Sequence, residues 1–174
     1  MKYYAVIDTN VLVSYLLTHN LQSSVSRLLH YIPEGSVVPL YNEDILKEYE
    51  EVLHREHFHF KEEEISYILS SVKKNGLNCE RKAVNDIFPD PSDAVFYEVT
   101  MSRDDSYLVT GNLKHFPKSK RVVSPAEMLE IMKYGEDRPS YLSDVEDSEC
   151  LPMTIDEINA IIREVREEIK RSRA

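Results

Sequence analysis

Four polar positions, widely spaced along the chain, carry the side chains best suited to chemistry: Asp8, Glu48, Asp93 and Asn112. Asp8 closes the apolar run Tyr3-Tyr4-Ala5-Val6-Ile7 and precedes Thr9 and Asn10. A carboxylate ending a buried run is costly unless it is paired, hydrogen-bonded or bound to a metal. Capping the next helix is the alternative, because Asp, Thr and Asn all accept from free helix amides, and on the motif alone the two readings stand level. At about 100° per residue, Glu48 falls beside Ile45 and Val52 on the margin of an apolar stripe. By itself it reads as a solvated helix-edge acid. Asp90 and Asp93 have capping-box spacing. Asp90 suits the cap, whereas Asp93 either caps or projects toward the sheet edge. Thr110-Gly111-Asn112 ends a further apolar run.

Brought to one edge, three carboxylates repel one another unless a cation intervenes. Hard oxygen donors without an accompanying His or Cys cluster select Mg²⁺ or Mn²⁺ over zinc. Such an ion activates water and neutralises the charge that develops on a phosphodiester during in-line displacement. No nucleophilic Ser or Cys motif, general-base His or Gly-rich phosphate loop competes. Substrate would need positive charge, and residues 114–121 supply Lys114, Lys118, Lys120 and Arg121 with no acid among them. That segment could hold phosphates while His115 or Phe116 stacks on a base. A solvated basic loop fits the same composition equally well. His54, His57 and His59 fit no standard zinc spacing and read as surface histidines at a helix end.

Positioning these groups requires an alternating set of elements. Apolar runs predict strands over 3–7, 36–40, 106–110 and 121–123, the first continuous enough to be buried on both faces. Helical periodicity predicts helices over 11–16, 22–31, 43–55, 62–75, 90–102 and 125–132. Asn42 serves as an N-cap, and Gly76 is expected as a left-handed C-terminal residue. Short helical turns follow Asn112. Strands alternating with helices through short loops indicate an α/β domain with a mainly parallel sheet, whose ligands bind outside the carboxyl ends of the strands. Asp8 and Thr110-Gly111-Asn112 stand at two such ends.

With 21 basic against 31 acidic residues, the 174-residue chain carries a net −10, which argues against a sequence-independent nucleic-acid coat. The charge divides evenly: residues 1–133 and 134–174 each hold −5, so the tail is far more acidic per residue. The organisation expected is a domain over 1–133, an acidic linker over 134–153 and an amphipathic helix over 154–174. That helix opens with Thr154 and Glu157 at capping-box spacing and bears Ile155, Ile158, Ile161, Ile162, Val165 and Ile169 as a stripe. It is too short to be stable alone and must dock. Packing on the same chain or exchange in a dimer is favoured over presentation to a partner. Two distant cysteines, Cys79 and Cys150, and an N-terminal apolar run too short for a signal peptide or a membrane span predict a soluble, cytoplasmic protein.

The stretch Val6-Ile7-Asp8-Thr9-Asn10-Val11-Leu12 resembles the opening of a PIN domain, the fold of VapC-type toxin ribonucleases. Glu48 in Ile45-Leu46-Lys47-Glu48-Tyr49, Asp93 in Asp90-Pro91-Ser92-Asp93, and Thr110-Gly111-Asn112 match the later blocks in order. The likeness covers residues 2–132 and is greatest to the bacterial branch of toxin components of toxin–antitoxin systems. It implies a PIN-like α/β/α sandwich, here with an added C-terminal amphipathic helix. It further implies an Mg²⁺- or Mn²⁺-dependent endoribonuclease whose catalytic and metal-ligating residues are Asp8, Glu48, Asp93 and Asn112. Thr9, Asn10 and Thr110 would line the site or hold its water, beside the basic segment Lys114, His115, Lys118, Lys120 and Arg121. RNA is the implied substrate, an antitoxin the implied partner, and a homodimer the implied assembly. In antitoxins, helical tails carry basic residues to the carboxylates, and Arg163, Arg166, Lys170, Arg171 and Arg173 give this tail the same means. Many family members have Asp where Asn112 stands. An amide oxygen still ligates but removes a charge, so a catalytically weak PIN module that binds RNA or a protein is the rival reading. A structure-specific DNA nuclease of the same fold fits less well, because the chain lacks helical insertions.

Overall fold

Ala5, Val6 and Ile7 are wholly buried, as a strand covered on both faces requires. They belong to β1 (Tyr3–Ile7), the middle strand of a five-stranded sheet in a computed structural model that describes residues 1–136 and 151–174. The other strands are β2 (Val37–Tyr41), β3 (Leu77–Asn78), β4 (Ser106–Val109) and β5 (Val122–Val123). Their order is β3-β2-β1-β4-β5, and every pairing is parallel. The chain moves outward from β1 in one direction through β2 and β3, then returns to β1's other side with β4. This reversal opens a crevice at the carboxyl ends of β1 and β4, the place where parallel sheets bind ligands.

The helices are α1 (Thr9–Leu17), α2 (Ser24–His30), α3 (Glu43–Leu53), α4 (Glu62–Asn75), α5 (Ala94–Thr100), α6 (Pro125–Tyr134) and α7 (Ile155–Arg173). They flank the sheet as an α/β/α sandwich, α4 lying on β2 and α5 across β1, β2 and β4. Local chemistry fixes their starts. Asn42 Oδ1 accepts from the Ile45 amide at 2.9 Å, and Ser124 with Glu127, like Thr154 with Glu157, completes a reciprocal capping box. The helix expected over 90–102 begins instead as a 3₁₀ turn, Pro91–Asp93, before α5. Asp90 Oδ1 accepts from the Ser92 amide at 2.9 Å, which tightens the turn, and Pro91 has no amide to lose.

Gly76 follows α4 as expected, but its conformation corrects the expectation: φ is −98° and ψ −179°, extended rather than left-handed. Glycine is required there for closeness. A Cβ would lie 2.5 Å from the Val72 carbonyl oxygen and 2.6 Å from that of Pro39. Gly35, at φ 79°, has the opposite requirement, a left-handed backbone with nothing within 4 Å of a Cβ.

Helix α7 packs on α1 and α3 of the same chain, burying Ile158, Ile161, Ile162 and Val165. Full burial of an aliphatic side chain stabilises by roughly 1.5–3 kcal/mol, so four together offset the weak intrinsic stability of the helix. Outer contacts are ionic: Arg55 pairs with Glu168, and Arg173 with Asp44 at 2.8 Å. The expected acidic linker lies largely outside the described residues. Among the described residues, no helix is long and apolar enough to cross a membrane.

The two glycines give a discriminating test by thermal melting. Gly35→Ala is expected to cost about 1–2 kcal/mol through backbone strain, and Gly35→Asn less. Gly76→Ala and Gly76→Asn should both cost about 1–3 kcal/mol through overpacking. Recovery by Asn at position 76 would contradict the close-approach explanation.

Candidate active site

Asp8 and Asp93 both stand at helix N-cap positions, and neither side chain caps its helix. This answers the question that the motifs leave open. The Asp8 carboxylate turns away from α1, and its Oδ2 accepts from Thr110 Oγ1 at 2.7 Å and Asn10 Nδ2 at 3.3 Å. The Asp8 amide donates to the Val109 carbonyl at 2.8 Å, which locks the end of β1 to the end of β4. Asn10 Oδ1 accepts from the Gly111 amide at 3.0 Å and repeats that tie one step further out.

Glu48 is not a solvated acid: it is 6% exposed. Its neighbour Tyr49, wholly enclosed, donates its hydroxyl to the Ile7 carbonyl and so anchors α3 at the last residue of β1. That places Glu48 beside Thr9, whose Oγ1 donates to Glu48 Oε1 at 2.6 Å. Helical periodicity alone left Glu48 at the margin; the long-range Tyr49 bond turns the margin inward.

The centre of this cluster is Arg166 of α7. Its Nε donates to Glu48 Oε2 at 2.9 Å and its Nη2 to Glu48 Oε1 at 3.0 Å, a two-point clamp. Nη1 donates to Asp93 Oδ1 at 2.8 Å and to Asp90 Oδ2 at 2.9 Å. The guanidinium carbon also lies 5.7 Å from the centroid of the Phe96 ring. Burial would lower the Arg166 pKa, but Glu48, Asp93 and Asp8 together hold it raised, so the side chain is charged. Asp90 thus both caps its turn and binds the guanidinium. The Ser92 amide and Arg166 hold its carboxyl below the usual range despite partial burial.

One cation does not satisfy all four acids. Burial first, then the charge of Asp93, pushes the Asp8 carboxyl up to about 7 from 3.8. Burial likewise raises Asp93 in spite of Arg166. Asp93 Oδ2 is buried and receives no hydrogen bond, and His115 Nδ1 lies 3.3 Å from it. These observations suit a hard cation, because the donors are all oxygen and a buried carboxylate oxygen remains unsatisfied. The spacing suits a guanidinium instead. Among the described residues, no three His, Cys, Asp or Glu side chains are grouped to hold one ion.

The remaining sequence candidates divide. Thr9, Asn10 and Thr110 are buried and spend their side chains on carboxylates or on the β1–β4 junction, so they position the acids. Asn112 is half-buried beside them, its amide donating to Thr110 Oγ1 at 3.0 Å; its side chain bonds to none of the described residues. Lys114, Lys118 and Lys120 are exposed, but only Lys114 lies in the turn that follows Asn112; Lys120 precedes β5 at the opposite, amino edge of the sheet, which corrects its expected place beside the site. Arg121 is not free for phosphate. Its guanidinium donates to the carbonyls of Ser106 at 2.8 Å and Thr100 at 2.7 Å, and also to that of Arg103. Phe116 is buried edge-on against Phe88 and offers no face to a base. His54, His57 and His59 are exposed, as expected. Asn159 is the residue that the site reading missed, and Arg166 is the one of the five basic tail residues that reaches the carboxylates Glu48, Asp90 and Asp93. Both interrupt the apolar stripe of α7, and a polar residue on a buried stripe signals a buried partner.

The PIN domain family matches residues 4–114, which span β1 to the turn after β4 and contain Asp8, Glu48, Asp93 and Asn112. The chain belongs to the PIN domain family, whose members are generally nucleases acting on nucleic acid. No curated protein and no solved structure gives a significant match.

Two outcomes follow from the charge balance. Between pH 3.8 and about 7, folded Asp8 keeps a proton that the unfolded chain has released, so stability falls as pH rises through that window. Asp8→Asn should flatten this dependence and raise the melting temperature above pH 7; a wild-type melting temperature that climbs from pH 5 to 7 would contradict the assignment. Arg121→Met should lower stability by about 2–4 kcal/mol by stranding buried carbonyls, whereas Lys114→Ala should leave the melting temperature unchanged.

Proposed function

We propose that this chain is a metal-dependent endoribonuclease, the toxin of a type II toxin–antitoxin pair in a bacterial cytoplasm. The observation that carries the reading is the pair of cap-position acids that do not cap. Asp8 and Asp93 give up local helix bonds and converge with Glu48 at the crevice between β1 and β4. Buried like charges are kept together at such cost where they hold a cation for chemistry.

In this reading Asp8, Glu48 and Asp93 hold Mg²⁺ or Mn²⁺, with Asn112 contributing an amide oxygen. An ion held there would supply activation of water and compensation of charge on the scissile phosphate. The chain's own residues do the positioning. Thr110 and Asn10 orient Asp8, Thr9 orients Glu48, and Tyr49 fixes α3 against β1. Lys114, two residues after Asn112, would meet the phosphate backbone, and His115 approaches Asp93 from the same turn. Antitoxin binding and a homodimer belong to this proposal through the family likeness.

A second reading, a PIN module that binds RNA or a protein without cleaving it, is favoured by Asn112 where many relatives carry an acid. Cleavage of a mixed RNA pool by purified chain with Mn²⁺ separates the two. Asp8→Asn and Glu48→Gln should each reduce metal-dependent cleavage by about 100-fold or more. Cleavage insensitive to both would remove these residues from the site. Asn112→Asp should tighten Mn²⁺ binding if this residue lines the site.

A further inference from the structure

We propose that α7 is an inhibitor of this site carried on the same chain, in which Arg166 stands in the place of the divalent cation and the helix must leave before metal and RNA enter. The proposal rests on the nuclease reading above and concerns how that site is controlled.

Three observations support it. Arg166 takes both oxygens of Glu48 and one oxygen each of Asp93 and Asp90 at 2.8–3.0 Å. The Glu48 and Asp93 lone pairs among these are ones the proposed ion would need. Guanidinium and metal therefore exclude each other. Second, the cover extends beyond Arg166. Asn159, two helical turns earlier on the same face, accepts from Asn10 Nδ2 at 3.2 Å. Ile155, at the start of the helix, presses on the Gly111 backbone, where a Cβ would lie 2.8 Å from Ile155 Cδ1. Under this cover Asp8, Glu48 and Asp93 are all buried, so a phosphodiester has no path to them while the helix is seated.

Third, the fit is imperfect where a removable plug can tolerate imperfection. Asp93 Oδ2 has no donor, and Asn159 Nδ2 is buried without an acceptor. One positive charge faces Asp8, Glu48, Asp90 and Asp93. A doubly charged ion compensates more of that charge than Arg166 does, so a sufficient metal concentration displaces the helix.

The test uses the full chain in three forms: wild type, Arg166→Met, and the pair Ile158→Ser with Ile162→Ser, which loosens the apolar seat and leaves every acid in place. Calorimetric titration with Mn²⁺ should show at least tenfold tighter binding in both altered forms. In wild type, saturating Mn²⁺ should speed amide hydrogen exchange across 155–173, and RNA cleavage should rise in both altered forms. Adding Asp8→Asn to each should abolish the tight binding. If folded variants, judged by cooperative melting, bind Mn²⁺ no more tightly than wild type, and the helix stays protected in Mn²⁺, the plug is overturned. Asp8-dependent binding of equal strength in all three would then leave the nuclease reading standing. Absence of Asp8-dependent binding in every folded form would overturn both.

Discussion

Four carboxylates gathered at one sheet edge are the constraint around which the rest of the chain is arranged. Asp8, Glu48, Asp90 and Asp93 come from β1, α3 and the turn before α5, and they are brought together where the sheet reverses direction. Taking such groups out of water costs several kcal/mol each unless charge and hydrogen bonds compensate. The chain supplies hydroxyls from Thr9 and Thr110, an amide from Asn10, and a guanidinium from Arg166. Burial of α7 follows from the same need. Its apolar contacts hold the helix, and its one buried charge answers the acids that the PIN fold assembles.

That dependence explains why the site has a scaffold of its own. Thr110 and Asn10 bind Asp8 while also fixing the ends of β4 and β1 to each other, so orientation of the carboxylate and closure of the crevice are one set of bonds. Tyr49 does the same for α3. Arg121 ties β4 to the turn before it through main-chain oxygens, which stiffens the strand that carries Thr110. A basic residue in a basic loop was thus drawn into the architecture, while its lysine neighbours stayed in solvent.

Much of this was legible from the residues. The strand over 3–7 and the helix over 62–75 have the bounds that apolar periodicity predicts, because each is a long patterned run with clear stops. The capping box at Thr154 was legible because capping is a local bond between near neighbours. Gly76 was placed correctly and explained wrongly. Sequence marks the helix end, but only the approach of Pro39 and Val72 shows why a side chain is excluded there. The PIN blocks identified Asp8, Glu48, Asp93 and Asn112 as an ordered set, although Glu48 alone resembled a surface acid.

What the sequence determined by itself was therefore the order of elements, their caps, and the acids that a sheet edge could collect. These are properties of residue type at short spacing. Tertiary structure alone decided which oxygens meet which donors. Whether Asp8 caps α1 or faces Thr110 depends on a partner 102 positions away. Whether Arg166 meets water or Glu48 depends on one 118 away. No local pattern encodes such separations, because a buried charge selects its partner only after the apolar stripe of α7 has found its seat.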